Sequence, residues 1–305
     1  MRILVTGAGG NLGRVVTPAL AKAGHELRLF DFRALPSEHE VIVGDVRDPD
    51  AVAGAMRGVD AVVHGAALHG IHLSDWSVDD FWSTNCTGTF VVYNAAREAG
   101  VRRTVLASSM AVYGIDADAE GGWTTVTEDT PCRPADAYGM TKVVAEDIAR
   151  FHADAHDVTT VSLRLGMFVP ETFDRYGFRL LFGGVDDRDV AAAVELALAH
   201  EPAEGFAAFD IMADSTLRAD DLNADLPGTL DRHWPGITSL VRDRGLDLDA
   251  LVWGRVLYPV DQARNELGYA PQHDFSTFLE AWRRGDSTYY PYADEPWWGT
   301  ERPSV

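Results

Sequence analysis

A glycine-rich turn joins the first apolar run of the chain to its first helical stretch. Residues Thr6–Gly13 read Thr-Gly-Ala-Gly-Gly-Asn-Leu-Gly, with Gly7, Gly10 and Gly13 at a three-residue spacing. The first glycine permits a tight turn, the second lets the backbone approach a pyrophosphate, and the third allows close packing of the helix. Free N–H groups at the start of the helix attract phosphate oxygens. The turn predicts a dinucleotide site with contacts from Gly7, Gly10, Asn11, Leu12 and Gly13.

An acidic residue ends the second apolar run. Asp31 lies about 20 residues beyond the glycines, where the ribose hydroxyls of a dinucleotide need an acceptor. A carboxylate there would repel the 2′-phosphate of NADP, so the sequence favours NAD as the cofactor. Arg33 keeps NADP open as the less favoured alternative. We therefore expect Asp31, Phe32 and Arg33 to contact the cofactor.

Short β-branched runs alternate with helical stretches over the first two-thirds of the chain. Such alternation indicates crossover connections and a parallel sheet covered by helices on both faces. The predicted fold class is α/β, a doubly wound parallel sheet of the Rossmann type, with its ligand beyond the carboxyl ends of the strands. The predicted strands are Arg2–Thr6, Leu27–Asp31, Val41–Val43, Ala61–His64, Thr104–Ser108 and Thr160–Leu165, and the predicted helices are Asn11–Gly24, Pro49–Met56, Thr84–Ala99 and Tyr138–Ala155.

The pattern loosens after Leu165. A helix is predicted at Asp187–His200, a strand at Ala207–Met212, and helices at Asp261–Leu267 and Phe275–Arg284. Aromatic residues and prolines crowd the end of the chain, which predicts an irregular tail. The predicted division is a dinucleotide-binding domain, residues 1–165, onto which helix 187–200 packs back, and a small C-terminal substrate-covering domain, residues 166–186 and 201–305.

Composition narrows the set of partners. Asp and Glu outnumber Lys and Arg by 47 to 26, and the resulting net charge of −21 disfavours nucleic acids and anionic membranes. No apolar run approaches the roughly 20 residues of a membrane span. The first residues lack the regions of a secretory signal, and Cys86 and Cys132 form no disulfide framework. We expect a cytoplasmic protein, and no His, Asp or Glu group has the spacing of a metal site.

Three segments carry residues suited to proton transfer. Ser109 closes a predicted strand, while Tyr138 and Lys142 lie four residues apart on one face of a predicted helix. A tyrosine hydroxyl ionises near pH 10, so it needs help to act as a base near neutrality. A nearby ammonium group and a positive nicotinamide ring would lower its pKa. We predict Tyr138 as the base, Ser109 as the group that holds the reacting oxygen, and Lys142 as the electrostatic helper.

These motifs, in this order, resemble the extended short-chain dehydrogenases, a family that includes nucleotide-sugar epimerases, dehydratases and uronate dehydrogenases. The resemblance spans nearly the whole chain. It rests on Thr6–Gly13, Asp31, Gly44–Val46, His64–Ala67, Asn85–Thr89, Ser108–Gly114, Tyr138–Lys142 and Asp261–Pro271.

The resemblance implies further cofactor contacts. Asp45 and Val46 would line the adenine pocket, and Lys142 would also hold the nicotinamide ribose. Asn85 would support the active-site region through main-chain contacts. The family commonly dimerises through two helices per subunit, here Thr84–Ala99 and Tyr138–Ala155, so we expect a homodimer. Gly65, Ala66 and Ala67 would follow the ribose and pyrophosphate.

Segment length bears on the reaction. The stretch from Arg164 to Asp187 is short, whereas nucleotide-sugar enzymes of the family carry a longer insertion there. Uronate dehydrogenases share the short segment and bind the substrate carboxylate through an arginine just before the helix. Arg179 takes that place here, with Arg175 as its competitor, and a guanidinium suits a carboxylate. A structural ion pair is the alternative for Arg179.

Other residues are predicted to border a sugar-like substrate. Met110 and Met167 lie where uronate dehydrogenases carry a more polar lining. His69 follows the predicted cofactor loop, as does His72, although a surface loop is the alternative for both. The tryptophans Trp234, Trp253, Trp297 and Trp298 are predicted to be packing residues rather than a sugar platform.

Three functions remain open from the sequence. The favoured one is an NAD-dependent oxidoreductase acting on a carbinol of a sugar or sugar acid. The second is an NAD-retaining nucleotide-sugar epimerase or dehydratase, in which the cofactor is not turned over. The third is a dinucleotide sensor without catalysis, which the presence of both Tyr138 and Lys142 disfavours.

Overall fold

The computed structural model describes residues 1–114, 122–252 and 254–293. The predicted tail beyond residue 293 and the tryptophans Trp253, Trp297 and Trp298 lie outside the described residues. Within them the strands are β1 (Arg2–Thr6), β2 (Glu26–Asp31), β3 (Glu40–Val43), β4 (Ala61–His64), β5 (Arg103–Ser109), β6 (Thr124–Thr125), β7 (Thr159–Leu165), β8 (Phe206–Ile211) and β9 (Val256–Leu257).

The main sheet of this described region has seven strands in the order β3-β2-β1-β4-β5-β7-β8. Every neighbouring pair is parallel. Strand order reverses between β1 and β4, which creates a crevice at their carboxyl ends. The arrangement confirms the predicted doubly wound parallel sheet. Strands β6 and β9 form a separate two-stranded parallel sheet.

Helices cover both faces of the main sheet. Side chains of a strand point alternately to the two faces, so Ile3 and Val5 pack on one side and Leu4 on the other. The helices are α1 (Asn11–Lys22), α2 (Pro49–Met56), α3 (Val78–Phe81), α4 (Gly88–Ala99), α5 (Ala137–His156), α6 (Phe173–Arg179), α7 (Asp187–Ala199), α8 (Ala219–Ala224), α9 (Leu226–His233), α10 (Ile237–Asp243), α11 (Leu248–Leu251) and α12 (Phe275–Arg284). Helices α1 and α7 lie on the Ile3 face, and α2, α4 and α5 lie on the Leu4 face.

A separate aromatic core lies beside the sheet. It joins α6 and α8–α10 to α12 around Phe178, Phe278 and Trp282. The ring centroids of Trp234 and Phe275 in this core are 4.8 Å apart, in an edge-to-face arrangement. This contact is consistent with the packing role predicted for Trp234. Helix α7 contacts α1, β5 and β7, as predicted for the helix that packs back onto the sheet. The predicted domain boundaries stay a prediction.

Some local structure differs from the sequence-based expectation. The predicted helix Thr84–Ala99 begins with a π-helical stretch, Trp82–Thr87, before α4. The predicted helix Asp261–Leu267 is π-helical over Ala263–Leu267. Helices α8–α11 were not predicted, because each is shorter than the span over which helical periodicity can be recognised. No helix among the described residues has the length and apolarity needed to cross a membrane.

Candidate active site

The glycine turn forms a cradle at the carboxyl end of β1. Gly7 has a φ of +68°, and a Cβ added there would lie 2.7 Å from the Ala66 backbone. A Cβ on Gly13 would lie 2.4 Å from the Ala8 backbone. Side chains at either position would therefore push apart the turn, the loop after β4 and the start of α1. Gly13 shapes the cradle by packing against Ala8.

Asp31 organises the opposite rim of this cradle. Its Oδ2 accepts a hydrogen bond from the Gly9 amide at 2.8 Å, and its Oδ1 accepts one from the Arg33 amide at 3.1 Å. The Arg33 guanidinium donates to the Gly9 carbonyl oxygen at 3.2 Å. The carboxylate is only 4% exposed, so it couples the end of β2 to the glycine turn.

A first cavity extends from the cradle over the ends of β2 and β3. Asp45 on its wall forms an ion pair with Arg47, and that arginine holds the pKa of Asp45 below its usual value. Arg47, Trp76 and Thr84 are wall residues that the sequence did not indicate. The cavity brings together the predicted cofactor residues Gly7, Gly10, Asp31, Phe32, Arg33, Asp45, Val46, Gly65, Ala66 and Ala67.

A second cavity of about 500 Å³ begins at the same glycines and reaches the ends of β5 and β7. It contains every predicted catalytic residue. Since the glycine turn borders both cavities, a dinucleotide in the cradle can extend toward the reacting groups. The predicted residues on its wall are Gly7, Gly10, Asn11, Leu12, Gly65, Ala67, His69, His72, Ser109, Met110, Tyr138, Lys142 and Met167.

Tyr138 stands in the first turn of α5. The helix is capped by Asp136, whose side chain accepts from the Gly139 amide at 2.7 Å. Burial raises the pKa of Tyr138 to about 12, while an interaction with Ser109 opposes the rise. The pKa of Tyr138 is therefore raised by desolvation in the protein alone, whereas the sequence predicted that Lys142 and a nicotinamide ring would lower it. The His69 ring lies 4.8 Å from the Tyr138 ring, between centroids.

Lys142 is buried one turn further along α5. Its Nζ donates to the Ala107 carbonyl oxygen at 2.6 Å and lies 5.7 Å from the centre of the Tyr138 ring. Burial lowers the pKa of Lys142 to about 8, although Glu146 opposes the shift. The ammonium group is thus held beside Tyr138 by the backbone of β5.

Asn85 acts behind the cavity wall. Its Oδ1 accepts from the Leu68 amide at 2.7 Å, and its Nδ2 donates to the Leu68 carbonyl oxygen at 3.0 Å and to Thr141 Oγ1 at 2.9 Å. The π-helical stretch Trp82–Thr87 carries this side chain. Asn85 therefore ties the loop after β4 to α5, through the main-chain contacts that the resemblance implied.

Two orphaned polar atoms support occupation of the cavity by a polar molecule. Among the described residues, Asn11 Oδ1 and Ser108 Oγ are buried and have no hydrogen-bond partner. Buried polar groups usually have partners, and both residues line the second cavity. Together with the glycine cradle, they fit a dinucleotide that supplies hydroxyl and phosphate groups.

Arg179 is not brought to either cavity wall. It is 5% exposed, and its Nη1 donates to the Val169 carbonyl oxygen at 2.8 Å and to Glu171 at 2.9 Å. The competitor Arg175 lies exposed on α6. The structural ion pair considered as the alternative for Arg179 is thus present, and a substrate contact by Arg179 stays a prediction.

A polar link that the sequence did not indicate lies under the switch point. Thr6 and His64 are paired neighbours at the ends of β1 and β4. His64 Nδ1 lies 2.7 Å from Thr6 Oγ1, and its Nε2 lies 2.9 Å from Thr89 Oγ1. Burial lowers the pKa of His64 to about 3, so the imidazole is neutral and bridges the two strands to α4. The sequence feature that could have indicated this link is a histidine, His64, at the end of a predicted buried strand.

Fold and site together define a dinucleotide-binding enzyme of the short-chain dehydrogenase class. Residues 3–176 match the NAD dependent epimerase/dehydratase family, and the chain belongs to this family. Membership confirms the predicted extended short-chain dehydrogenase identity, the enzyme class and NAD as the cofactor.

Similar proteins include two sugar dehydrogenases. The chain is 35% identical to uronate dehydrogenase from Pseudomonas syringae pv. tomato over 201 residues, 65% of this chain and 69% of that protein. It is 37% identical to L-arabinose 1-dehydrogenase (NAD(P)(+)) from Haloferax volcanii over 177 residues, 54% of this chain and 66% of that protein. The matches thus span about two-thirds of each relative.

Similarity to a solved structure extends over nearly the whole chain. A short-chain dehydrogenase/reductase superfamily protein from Agrobacterium tumefaciens, solved with bound NAD, is 27% identical. Its TM-score is 0.70, and the match covers 94% of this chain and 96% of that one. The described residues beyond 176 therefore belong largely to a region that this solved structure also contains.

Proposed function

We propose that the protein oxidises a carbinol of a free sugar or sugar acid with NAD, or reduces the corresponding carbonyl with NADH. The observation that carries the proposal is the second cavity, where Ser109, Tyr138 and Lys142 meet beside the glycine cradle. Dehydrogenase relatives of similar sequence support the same reaction class. In this proposal Asp31 accepts from the adenine ribose and the start of α1 faces the pyrophosphate.

The proton chemistry falls to Tyr138. Bound NAD supplies the acceptor for the hydride of the carbinol C–H bond. Tyr138 in its phenolate form takes the proton of the substrate hydroxyl, so that the oxygen becomes a carbonyl oxygen. Ser109 donates to that oxygen and holds it next to Tyr138. Because burial raises the pKa of Tyr138 to about 12, positive charge from Lys142 and the nicotinamide is needed to favour the phenolate.

The direct test is NADH absorbance after mixing the protein and NAD with free sugars, uronic acids and nucleotide sugars. NADH formed with a free sugar or uronic acid supports the proposal. Tyr138→Phe should then lower kcat by a factor of about 100 or more, with the Kd for NAD nearly unchanged. Unaltered turnover in that variant would rule out Tyr138 as the base.

A nucleotide-sugar epimerase or dehydratase is the second candidate, because the family includes such enzymes. The connection between β7 and α7, residues 166–186, holds only the short helix α6, and this favours a free sugar. Product formed from a nucleotide sugar with no net NADH would instead support the second candidate.

We also propose a homodimer through α4 and α5. Phe90 on α4 and Phe151 on α5 are 45% and 52% exposed, and both rings contact His152. A second copy would cover these apolar side chains. Sedimentation of wild type and of Phe90→Lys/Phe151→Lys tests this: a wild-type monomer contradicts the proposal.

A cytoplasmic location is proposed from the cysteines. Cys86 and Cys132 are both free thiols, which suits a reducing compartment. Recovery of the native protein mainly outside the cytoplasmic fraction of its own cells would contradict this.

A further inference from the structure

Glu171 forms a buried ion pair with Arg179, the arginine that the resemblance assigned to a substrate carboxylate. The pair uses Nη1 of the guanidinium, while Nε is buried without a partner. Arg179 Nη1 lies 2.9 Å from Glu171 Oε2 and 2.8 Å from the Val169 carbonyl oxygen. The side chains of Arg179 and Glu171 are 4% and 12% exposed. This pair lies directly behind the cavity wall, since Val169 itself lines the second cavity. A carboxylate from the protein is therefore already bound by the arginine nearest to that end of the cavity.

A second acid also faces Arg179. Burial and the neighbouring Asp186 raise the pKa of Asp187 to about 7, while Arg179 opposes this rise. Tyr290 lies next to the pair as well, because its hydroxyl donates to the same Val169 carbonyl oxygen at 3.4 Å. A substrate carboxylate next to this guanidinium would meet the Glu171 carboxylate, and like charges repel. Asp187, with a pKa of about 7, adds to this repulsion only in its ionised fraction.

Among the described residues that line the second cavity, Lys142 is the only lysine or arginine. Among its described residues the side chains charged near neutrality, other than histidines, are Asp136 and Lys142. The Lys142 ammonium donates to the Ala107 carbonyl oxygen and stands beside Tyr138, at the reacting centre. A carboxylate at the far end of a sugar would therefore meet no lysine or arginine on the described wall apart from Lys142, and an uncompensated charge is unfavourable.

The wall beyond the reacting centre is apolar instead. Met110 approaches Gly183, where an added Cβ would lie 3.2 Å from the Met110 methyl carbon. The Tyr258 ring lies on the same side of this glycine, 3.0 Å from the added Cβ. Met167, Phe168 and Val169 continue this wall, which suits the C–H faces and uncharged end of a sugar.

We propose that the substrate is an electrically neutral free sugar and that Glu171 is the residue that excludes uronic acids. The inference rests on the proposed dehydrogenase function and names its substrate class. Glu171 acts through Arg179: its carboxylate compensates the charge of the guanidinium and holds it behind the cavity wall. The arginine expected from the resemblance to bind a carboxylate serves a structural role in this chain.

The test compares matched sugars that differ only at C6, namely glucose with glucuronate and galactose with galacturonate. Initial rates of NADH formation give kcat/KM for wild type, for Glu171→Gln and for Glu204→Gln. Glu204 is an exposed residue, so its substitution makes the same change in net charge away from the cavity. We expect wild type and Glu204→Gln to prefer the neutral sugar by at least about tenfold, a difference of about 1.4 kcal/mol.

Glu171→Gln should shift this ratio toward the uronate by about tenfold, the equivalent of about 1.4 kcal/mol, because the positive charge of Arg179 is then no longer compensated by a carboxylate of the chain. Equal or better oxidation of uronates by wild type overturns the inference. So does an unchanged ratio in a Glu171→Gln protein whose circular dichroism and Tm show a native fold.

A binding measurement separates this inference from the proposed function. Saturation-transfer NMR on wild type with NADH compares methyl glucoside with methyl glucuronide, which cannot be oxidised at C1. Signal from the glucoside alone supports a neutral substrate, even if no sugar yields NADH and the proposed function fails. Equal or stronger signal from the glucuronide, or binding of neither ligand, overturns the inference whether or not Glu171→Gln folds.

Discussion

Lys142 donates from its ammonium group to the main-chain carbonyl oxygen of Ala107 over 2.6 Å. The bond joins α5 to β5 two residues before Ser109, so it fixes the distance between the strand that carries Ser109 and the helix that carries Tyr138. The contact comes with a desolvation cost, because burial lowers the pKa of Lys142 from 10.5 to about 8.

This shift predicts a pH dependence of stability. Between about pH 8 and pH 10 the unfolded state binds more protons than the folded state at this site, so the contribution of Lys142 to stability rises with pH. The full effect is about 3 kcal/mol. Urea unfolding without cofactor should show wild type gaining stability relative to Lys142→Met as pH rises through this window. A difference that stays constant with pH would contradict the shift.

Two glycine-to-alanine substitutions should have opposite effects. Gly13→Ala places a Cβ 2.4 Å from the Ala8 backbone, and we expect a loss of about 2 kcal/mol with weaker NAD binding. Gly54→Ala is the matched control. Gly54 lies inside α2, and a Cβ added there would have no neighbouring atom within 4 Å apart from the backbone of its own helix. Better helix propensity should stabilise that variant by up to about 1 kcal/mol. Thermal unfolding and NAD titration measure both, and a harmless Gly13→Ala would refute the cradle.

Asp31→Ala should change the choice of cofactor. The substitution removes the acceptor proposed for the adenine ribose and the repulsion of a 2′-phosphate. It also removes the bond to the Gly9 amide, so NAD affinity should fall by about tenfold or more. The ratio of NAD to NADP affinity, measured by fluorescence titration, should fall as well. Preference of wild type for NADP would contradict the role assigned to Asp31.

A buried ion pair behind the site should be sensitive to loss of one partner. Arg164 binds both carboxylate oxygens of Glu146, at 3.0 and 2.8 Å, and donates to the Tyr113 hydroxyl at 2.9 Å. Arg164→Met leaves a buried, unpaired carboxylate, and we expect a loss of about 3–5 kcal/mol. Arg97→Met, which breaks an exposed pair with Glu98, should cost less than about 1 kcal/mol. Similar losses in both variants, measured by urea unfolding, would show that burial of the pair does not matter.

Short-range features of the fold were predictable from the sequence. The glycine turn and Asp31 depend on a few consecutive residues and on one strand end, and the structure brings them together around one cavity. The strands of the main sheet follow from buried β-branched runs. The start of α4 could not be predicted, because hydrophobic spacing does not distinguish the π-helical stretch Trp82–Thr87 from an α-helix.

The sequence by itself determined the doubly wound sheet, the glycine cradle and the family, since these depend on local conformation and on spacing along the chain. Only the tertiary structure decided where Arg179 points. Helix α6 packs so closely on α12 that a Cβ on Gly177 would lie 2.0 Å from the Phe278 ring, and this packing orients the helix that ends at Arg179. The guanidinium then meets Glu171 instead of the cavity, because the direction of a side chain depends on contacts between segments distant in sequence.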